Sequence, residues 1–240
     1  MCSWSRVKRW KGLKVEGLSE FSSEQFSRDL KIAKAKYVAG DSVDEAILDA
    51  HARAAESFDV TTLTGAAAKK AFWINVYNGL TNYLIIKRRV RGSMMKNPTI
   101  FFLPKFRIGA LRMSLDDIEH GILRANRRAP YKPIPQFLFI DQRRKLVMES
   151  LDYRIHFALN CGALSCPPIA FYDAENIEEQ LAMAEKAFTD AEFRVDPEQK
   201  TIRCSEIFRM YRGDFIRIYV NDPAYENFRI TWAPYDWTIA

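Results

Sequence analysis

A histidine, an asparagine and two cysteines lie close together near the middle of this chain. They are His156, Asn160, Cys161 and Cys166, in a segment (residues 154–168) that begins as an apolar run and ends in small residues and two prolines. The thiolate form of cysteine is a strong nucleophile, and a nearby base or positive charge promotes its formation. This pattern makes Cys161 a candidate nucleophile and the segment a candidate for covalent chemistry.

The base for Cys161 could come from either of two histidines. The run before Asn160 has the composition of a β-strand, in which side chains five positions apart point to opposite faces. His156 can then reach Cys161 only if the chain bends at Asn160; otherwise His120, on a preceding helix, would be the base. The small residues after Cys161 would let a substrate come close, and a turn there could offer N–H groups to an oxyanion.

Several amides and carboxylates could orient such a histidine. A helix predicted over residues 66–88 is apolar on nearly all sides and should be buried. It nevertheless carries a stripe of asparagines on one face, namely Asn75, Asn78 and Asn82. Glu119 and Asp236 could serve the same purpose. The alternative is that the amides only bind the backbone of a neighbouring loop, because a buried amide without a partner costs about 1–3 kcal/mol.

Three other interpretations of the same residues remain open. His120, His156, Cys161 and Cys166 could together hold a zinc ion, although their spacing matches no common zinc motif. Cys161 and Cys166 could form a disulfide or redox pair, although they lack the CxxC spacing of such sites. The thiols and His156 could also be ordinary buried groups in an interaction module that carries out no reaction.

The composition of the chain limits the classes of function. Its 240 residues carry a net charge of +6, but the arginines occur in pairs and not in a long basic tract, so nucleic-acid binding is not expected. Four cysteines are too few for a disulfide framework. The first residues lack the apolar run of a signal peptide, and no segment is apolar over enough residues to span a membrane. We expect a soluble, cytoplasmic protein that needs no metal or cofactor and, if it is an enzyme, acts on a protein or peptide.

The spacing of apolar residues predicts an α+β fold, a single domain with helices packed around a small, mostly antiparallel sheet. Helices are predicted over residues 22–38, 42–57, 66–88 and 176–189, and one more begins near Ser114. Strands are predicted over residues 136–141 paired with 145–150, 193–195 paired with 201–204, and 228–232. We expect residues 1–20 to be a tail and residues 21–240 to form the domain.

Four sets of motifs, in order along the chain, carry a resemblance to a known family. They are FWINVYN (72–78), FRIG (106–109) with SLDDIEHGILR (114–124), IHFALNCGA (155–163) with SCPPI (165–169), and PYDW (234–237). From about residue 66 to residue 237 the chain resembles the DUF547 family, a domain of unknown function. The resemblance implies which residues matter to the family, and it implies no reaction.

The main chemical hypothesis is therefore a cysteine-dependent hydrolase or acyl transferase. Its catalytic residues would be Cys161, His156, His120 and Asn78. Its supporting residues would be Asn75, Glu119, Asn160, Cys166 and Asp236. The substrate and the oligomeric state do not follow from the sequence.

Overall fold

Three helices near the start of the described chain form the main packing layer. The structure is a computed structural model that describes residues 20–239. Helices α1 (Ser23–Ala39) and α3 (Gly65–Lys87) lie side by side, and α2 (Glu45–Glu56) contacts α1. Gly79 on α3 permits this close packing, because a Cβ atom there would lie 2.5 Å from the ring of Phe26 on α1.

Polar capping residues set the first turns of these helices. The side chain of Ser22 accepts a hydrogen bond from the backbone N–H of Gln25 at the start of α1. Asp44 does the same for Ala46 at the start of α2, which explains why α2 begins later than the sequence predicts. All four helices predicted by apolar periodicity are confirmed, including α4 (Ile177–Glu192).

Helix α3 supplies much of the core. Its side chains from Ala71 to Ile86 are nearly all buried, as expected for a helix that is apolar on most sides. A second, smaller cluster of buried side chains surrounds Phe208 and Phe215, and includes Phe188 of α4. The segment 154–168 contacts both parts of the core: Asn78 of α3 binds Asn160, and Phe157 belongs to the second cluster.

The first small sheet leads directly into an unusual helical turn. Strands β1 (Phe106–Ile108) and β2 (Leu111–Met113) form an antiparallel hairpin. The predicted helix after Ser114 is present, but residues Asp117–Leu123 form a π-helix, a rare geometry often found at functional sites. Ser114 starts it, because its hydroxyl accepts a hydrogen bond from the N–H of Asp117.

The second sheet lies near the C-terminal end and has three strands. Strand β4 (Thr201–Ser205) pairs antiparallel with β3 (Phe193–Asp196) and parallel with β5 (Arg229–Ala233). A short helix α5 (Ile207–Met210) follows β4. The predicted hairpin and the predicted final strand are confirmed, and the fold is a single α+β domain.

The hairpin predicted over residues 136–141 and 145–150 is wrong. Only Phe137 of its apolar run is buried, whereas Phe139 is 87% exposed and Ile140 is 75% exposed. The side chain of Asn126 binds both the N–H and the carbonyl of Phe137, at 2.8 and 2.9 Å, and so occupies the groups that a partner strand would need. The following residues, Gln142–Leu146, form a 3₁₀-helix.

The strand-like run before Asn160 is also not a strand. Residues Tyr153–Phe157 form a 3₁₀-helix, which begins where Asp152 accepts a hydrogen bond from the N–H of Arg154. The expected opposite-face arrangement of His156 and Cys161 therefore does not apply.

Two further expectations from the sequence concern the N-terminal tail and the absence of a membrane-spanning segment. Residues 1–19 of the predicted tail lie outside the described residues. None of the helices within residues 20–239 is long and apolar enough to cross a membrane.

Candidate functional site

Two thiols and one phenol form the centre of the candidate site. The sulfur atoms of Cys161 and Cys166, here called the thiol pair, lie 3.0 Å apart. The hydroxyl of Tyr235 lies 3.1 Å from the sulfur of Cys166 and 3.8 Å from that of Cys161. Both cysteines are free thiols and are partly exposed to solvent. The two sulfurs are thus close enough to react with each other, in residues that keep part of their surface exposed.

Two asparagines hold the loop that carries the thiol pair, residues 160–168, here called the thiol loop. The amide of Asn78 donates to the carbonyl of Ala158 and accepts from the N–H of Asn160, at 3.0 and 2.8 Å. The side chain of Asn160 in turn donates to the carbonyl of Pro167 and accepts from the N–H of Gly162, both at 2.8 Å. Both predicted site residues therefore act on the backbone of the loop and not on an imidazole.

The thiol loop packs closely against α3 at Gly162. This residue has a φ of +93°, a conformation that favours glycine. A Cβ atom there would lie 2.5 Å from the Cδ1 atom of Ile85. Asn75, a full turn before Asn78 on α3, holds a different loop by binding both the N–H and the carbonyl of Tyr172, at 3.1 and 2.7 Å.

Residues 235–239, here called the terminal segment, bring Tyr235 to the thiols. The N–H groups of Leu164 and Ser165 donate to the carbonyls of Thr238 and Asp236, at 2.8 and 3.2 Å. The hydroxyl of Ser165 accepts from the N–H of Asp236. The exposed carboxylate of Asp236 accepts from the N–H of Thr238 at 2.9 Å, so this predicted site residue stabilises the segment locally.

The two cysteines differ in acidity because they sit differently in the loop. Burial raises the pKa of Cys166, but hydrogen bonds from the Cys161 thiol, the Tyr235 hydroxyl and the N–H groups of Ala163 and Cys161 lower it to about 7. The pKa of Cys161 is raised well above its usual value, first because its thiol donates to Cys166 and then because it is buried. Cys166 is thus the more acidic thiol of the pair and ionises first, whereas Cys161 stays protonated.

Basic residues of α1 lie along the chain that follows the thiol pair. Helix α1 packs on the chain that follows Cys166: the ammonium of Lys31 donates to the carbonyl of Ile169 at 2.9 Å, and the guanidinium of Arg28 lies 4.1 Å from the ring centre of Phe171. One turn further along α1, Lys34 is only 7% exposed. Burial lowers its pKa, and the charges of the two thiols act against this.

His156 interacts with an aspartate and a tyrosine and, in the described part of the chain, not with the thiols. Its Nε2 atom donates to Asp214 Oδ2 at 2.8 Å, and its ring stacks on that of Tyr211 with the ring centres 4.1 Å apart. Arg124 also donates to Asp214, at 2.7 Å, so the histidine belongs to a buried charged cluster. Within residues 20–239 it makes no hydrogen bond to either thiol.

His120 belongs to the same buried cluster. Its Nδ1 atom accepts a hydrogen bond from Arg124 at 3.0 Å, which places its proton on Nε2 if the ring is neutral. Burial lowers its pKa, in agreement with a neutral ring. The neighbouring Glu119 accepts from the hydroxyl of Tyr211 at 2.6 Å. The structure therefore brings His120, Glu119 and His156 together with each other, and within residues 20–239 none of them is hydrogen-bonded to the thiol pair.

The zinc alternative needs both histidines and both cysteines around one point. No group of three or more histidine, cysteine, aspartate or glutamate side chains in the described part of the chain is arranged to hold a metal ion. The four proposed ligands divide instead into the thiol pair and the buried histidine cluster.

Sequence reasoning did not identify Lys34, Tyr235 or Asp214 as site residues. Tyr235 lies in the PYDW motif, in which the sequence favours Asp236 as the site residue. Lys34 comes four residues after the buried Leu30 and so falls on the inward face of α1, where a charged side chain is unusual. The inward position of this lysine is the feature of the sequence that could have identified Lys34. Asp214 had no comparable signal.

Comparisons with known proteins agree with the motifs. A family model described as a protein of unknown function, DUF547, matches residues 60–189, which is more than half of the chain. The match covers α3, the π-helix and the thiol loop, whereas Lys34 and Tyr235 lie outside it. Searches of curated proteins and of solved structures gave no match to this chain.

Proposed function

This chain belongs to the DUF547 family, proteins of unknown function, and we propose that it carries out thiol–disulfide exchange at Cys161 and Cys166. The observation that supports this most directly is the 3.0 Å separation of the two sulfurs, one of which is favoured as a thiolate. Exchange requires an attacking thiolate and, for an intramolecular disulfide, a second thiol within reach. The thiol pair meets both requirements.

The reaction has two steps, and the oxidant is a low-molecular-weight disulfide, RSSR. The Cys166 thiolate attacks one sulfur of RSSR, forms a mixed disulfide and releases RS⁻, which takes up a proton from solvent. Cys161 then loses its proton to solvent and attacks the Cys166 sulfur, which releases the second RS⁻. Counted from the Cys166 thiolate and the Cys161 thiol, the protein loses two electrons and one proton; RSSR takes up the two electrons, and the two RS⁻ become RSH with that proton and one more from solvent.

The acidity of each thiol suits its step. An attacking thiol is most effective when its pKa is near the ambient pH, and the pKa of Cys166 is about 7. The pKa of Cys161 is raised first by its hydrogen bond to Cys166. Formation of the mixed disulfide removes the charge that this bond stabilises. Cys161 therefore becomes easier to deprotonate when it is needed as the second nucleophile.

Acyl transfer or hydrolysis, the reaction class expected from the sequence, stays a prediction with less support. The backbone N–H groups that could bind an oxyanion already have partners: that of Gly162 binds Asn160, and those of Leu164 and Ser165 bind the terminal segment. Within the described chain neither His120 nor His156 is placed to act as a base for the thiols. Thiol exchange needs neither an oxyanion site nor a histidine.

Exchange can be tested on the full chain. The Cys2→Ser/Cys204→Ser protein, reduced and then freed of reductant, would be mixed with 2-hydroxyethyl disulfide and mapped by mass spectrometry. We expect a Cys161–Cys166 disulfide and, in a further Cys161→Ser variant, a mixed disulfide at Cys166. The Cys166→Ser variant should react much more slowly.

Three outcomes would count against this proposal. They are no disulfide between the two cysteines, equal rates for the Cys166→Ser variant and its parent, or an acyl intermediate that turns over with an activated ester while disulfides do not react. A protein that shows none of these reactions at its folded thiols would fit the interaction module instead.

A further inference from the structure

The run that the sequence analysis took for a strand exposes apolar side chains at a tight turn. Five of the twelve large apolar side chains that are exposed in the described chain lie within residues 131–140, and Phe139 and Ile140 are the most exposed of all. The N–H of Asp141 donates to the carbonyl of Leu138 at 2.9 Å, so Phe139 and Ile140 are the central residues of the turn. We call residues 138–141 the apolar turn. Exposed apolar side chains concentrated at one place mark an interaction surface.

Both ends of the apolar turn are anchored to the rest of the fold. Before it, Asn126 binds the backbone of Phe137, whose ring is fully buried against Gly121 of the π-helix, where a Cβ atom would lie 2.4 Å from that ring. After it, the carboxylate of Asp141 accepts from the N–H of Arg143 at 2.9 Å and starts the 3₁₀-helix. The fold thus holds the apolar turn in water, at a cost that a partner covering it would remove.

The β1–β2 hairpin adds positive charge next to the apolar turn. Arg143 connects the two, because its guanidinium lies 4.6 Å from the ring centre of Phe137 and donates to the carbonyl of Arg112 at 3.3 Å. On the hairpin, Arg107 and Arg112 are directly opposite each other, and both are exposed. Like charges at opposite positions destabilise a pair of strands. A negatively charged partner would relieve this repulsion.

Two further exposed basic residues, Arg144 and Lys145, follow the apolar turn. A guanidinium nitrogen of Arg144 lies 3.5 Å from the carbonyl of Phe137, which places it beside the turn. The carboxylates of Asp117 and Asp141 are already paired with Arg143. Within residues 20–239, neither Arg144, Lys145 nor the two hairpin arginines form an ion pair. The apolar turn is thus flanked by four cations that lack a carboxylate partner in the described chain.

We propose that the apolar turn and the four flanking cations bind the surface of an anionic lipid membrane. Phe139 and Ile140 enter the boundary between headgroups and acyl chains, while the basic side chains bind lipid phosphates. Cations spread over a face suit a lipid surface, because its phosphates are mobile and need no defined positions. A nucleic acid would bind the same cations but would leave the apolar turn in water. The inference is independent of the proposed thiol–disulfide exchange.

Co-sedimentation of the full chain with vesicles tests the apolar contribution. Vesicles of phosphatidylcholine alone are compared with mixed vesicles that also contain phosphatidylserine, and the parent should bind the mixed vesicles more tightly. Phe139→Ser/Ile140→Ser should bind them at least about tenfold more weakly, because burial of one large apolar side chain changes an equilibrium by about that factor or more. The control Met183→Ser/Ile216→Ser changes two apolar side chains that are exposed elsewhere and should bind like the parent.

A second pair of variants tests the charges. Arg144→Gln/Lys145→Gln should bind the mixed vesicles about 30-fold more weakly, since each basic residue near an anionic membrane contributes a factor of about five. The control Lys200→Gln/Arg229→Gln removes the same net charge at exposed positions near the second sheet and should bind like the parent. Every variant keeps the basic residues that precede residue 20, so their contribution is the same throughout.

Three results would overturn the inference. The first is a parent that binds the mixed vesicles no better than phosphatidylcholine vesicles, a measurement that depends on no variant. The second is a variant of either pair that binds the mixed vesicles as tightly as its control. The third is a parent that is dimeric by analytical ultracentrifugation and becomes monomeric in Phe139→Ser/Ile140→Ser, which would assign the apolar turn to contacts between copies of this chain.

Discussion

Removal of the Tyr235 hydroxyl is the sharpest test of how the site makes a thiolate. The Tyr235→Phe substitution keeps the ring and deletes one donor that lies 3.1 Å from the Cys166 sulfur. A hydrogen bond to a charged group contributes about 1.5–3 kcal/mol, and each 1.36 kcal/mol changes a pKa by one. The pKa of Cys166 should therefore rise from about 7 to about 8 or 9.

The expected consequence at neutral pH is a large loss of reactivity. At pH 7 about half of the Cys166 side chains are thiolate in the unmodified protein. In the variant the thiolate fraction should be between about a tenth and about a hundredth. The rate of alkylation by iodoacetamide at Cys166, followed by peptide mass spectrometry from pH 5 to 10, should fall about 5–50-fold at pH 7. At pH 10 the two proteins should react at similar rates.

A matched control makes the result decisive. Tyr225→Phe also removes one hydroxyl, but its ring packs against Phe228 near the second sheet. This variant should keep the alkylation profile of the parent. The reasoning is refuted if Tyr235→Phe leaves the inflection of the pH profile at its original position, or if Tyr225→Phe moves it equally.

Two further predictions concern the stability of the elements that hold the site. Asn78→Ala leaves the Ala158 carbonyl and the Asn160 N–H without their partner, so the free energy of unfolding in urea should fall by about 2–4 kcal/mol; a loss below about 0.5 kcal/mol would contradict this. Burial alone would raise the pKa of Asp152, but hydrogen bonds from Arg154 and Lys70 lower it to about 2. Because the folded-state pKa is depressed, about 2 kcal/mol of stability should be present above pH 4 and be lost as the pH falls toward 2. Thermal unfolding of Asp152→Asn should lack this part of the acid dependence, and an unchanged slope would be evidence against it.

The helices could be predicted because their signals are local. The caps Ser22 and Asp44 and the apolar spacing of α1, α3 and α4 depend only on neighbouring residues. The run 137–140 misled the prediction because an apolar segment does not reveal which side chains will be buried. In the structure a single amide, that of Asn126, binds the backbone of Phe137 and leaves the rest of the run exposed.

The thiol loop could be located from the sequence, but the roles within it could not be assigned. Which sulfur is acidic depends on which one receives the N–H groups of the loop and the Tyr235 hydroxyl, and these come from tertiary structure. The sequence alone therefore cannot decide whether Cys161 or Cys166 is the nucleophile. Asn75 and Asn78 bind loop backbone, which is one of the two interpretations that the sequence allows for the amide stripe.

The terminal segment also determines when this site can exist during protein synthesis. Tyr235 follows Cys166 by 69 positions, so the thiol loop leaves the ribosome well before its phenol partner has been translated. At rates on the order of 10 residues per second, this interval lasts several seconds. During that interval the nascent chain has two ordinary, weakly acidic thiols. The full acidity of Cys166 should develop only once the terminal segment has docked, because the Tyr235 hydroxyl is one of the donors that lower its pKa.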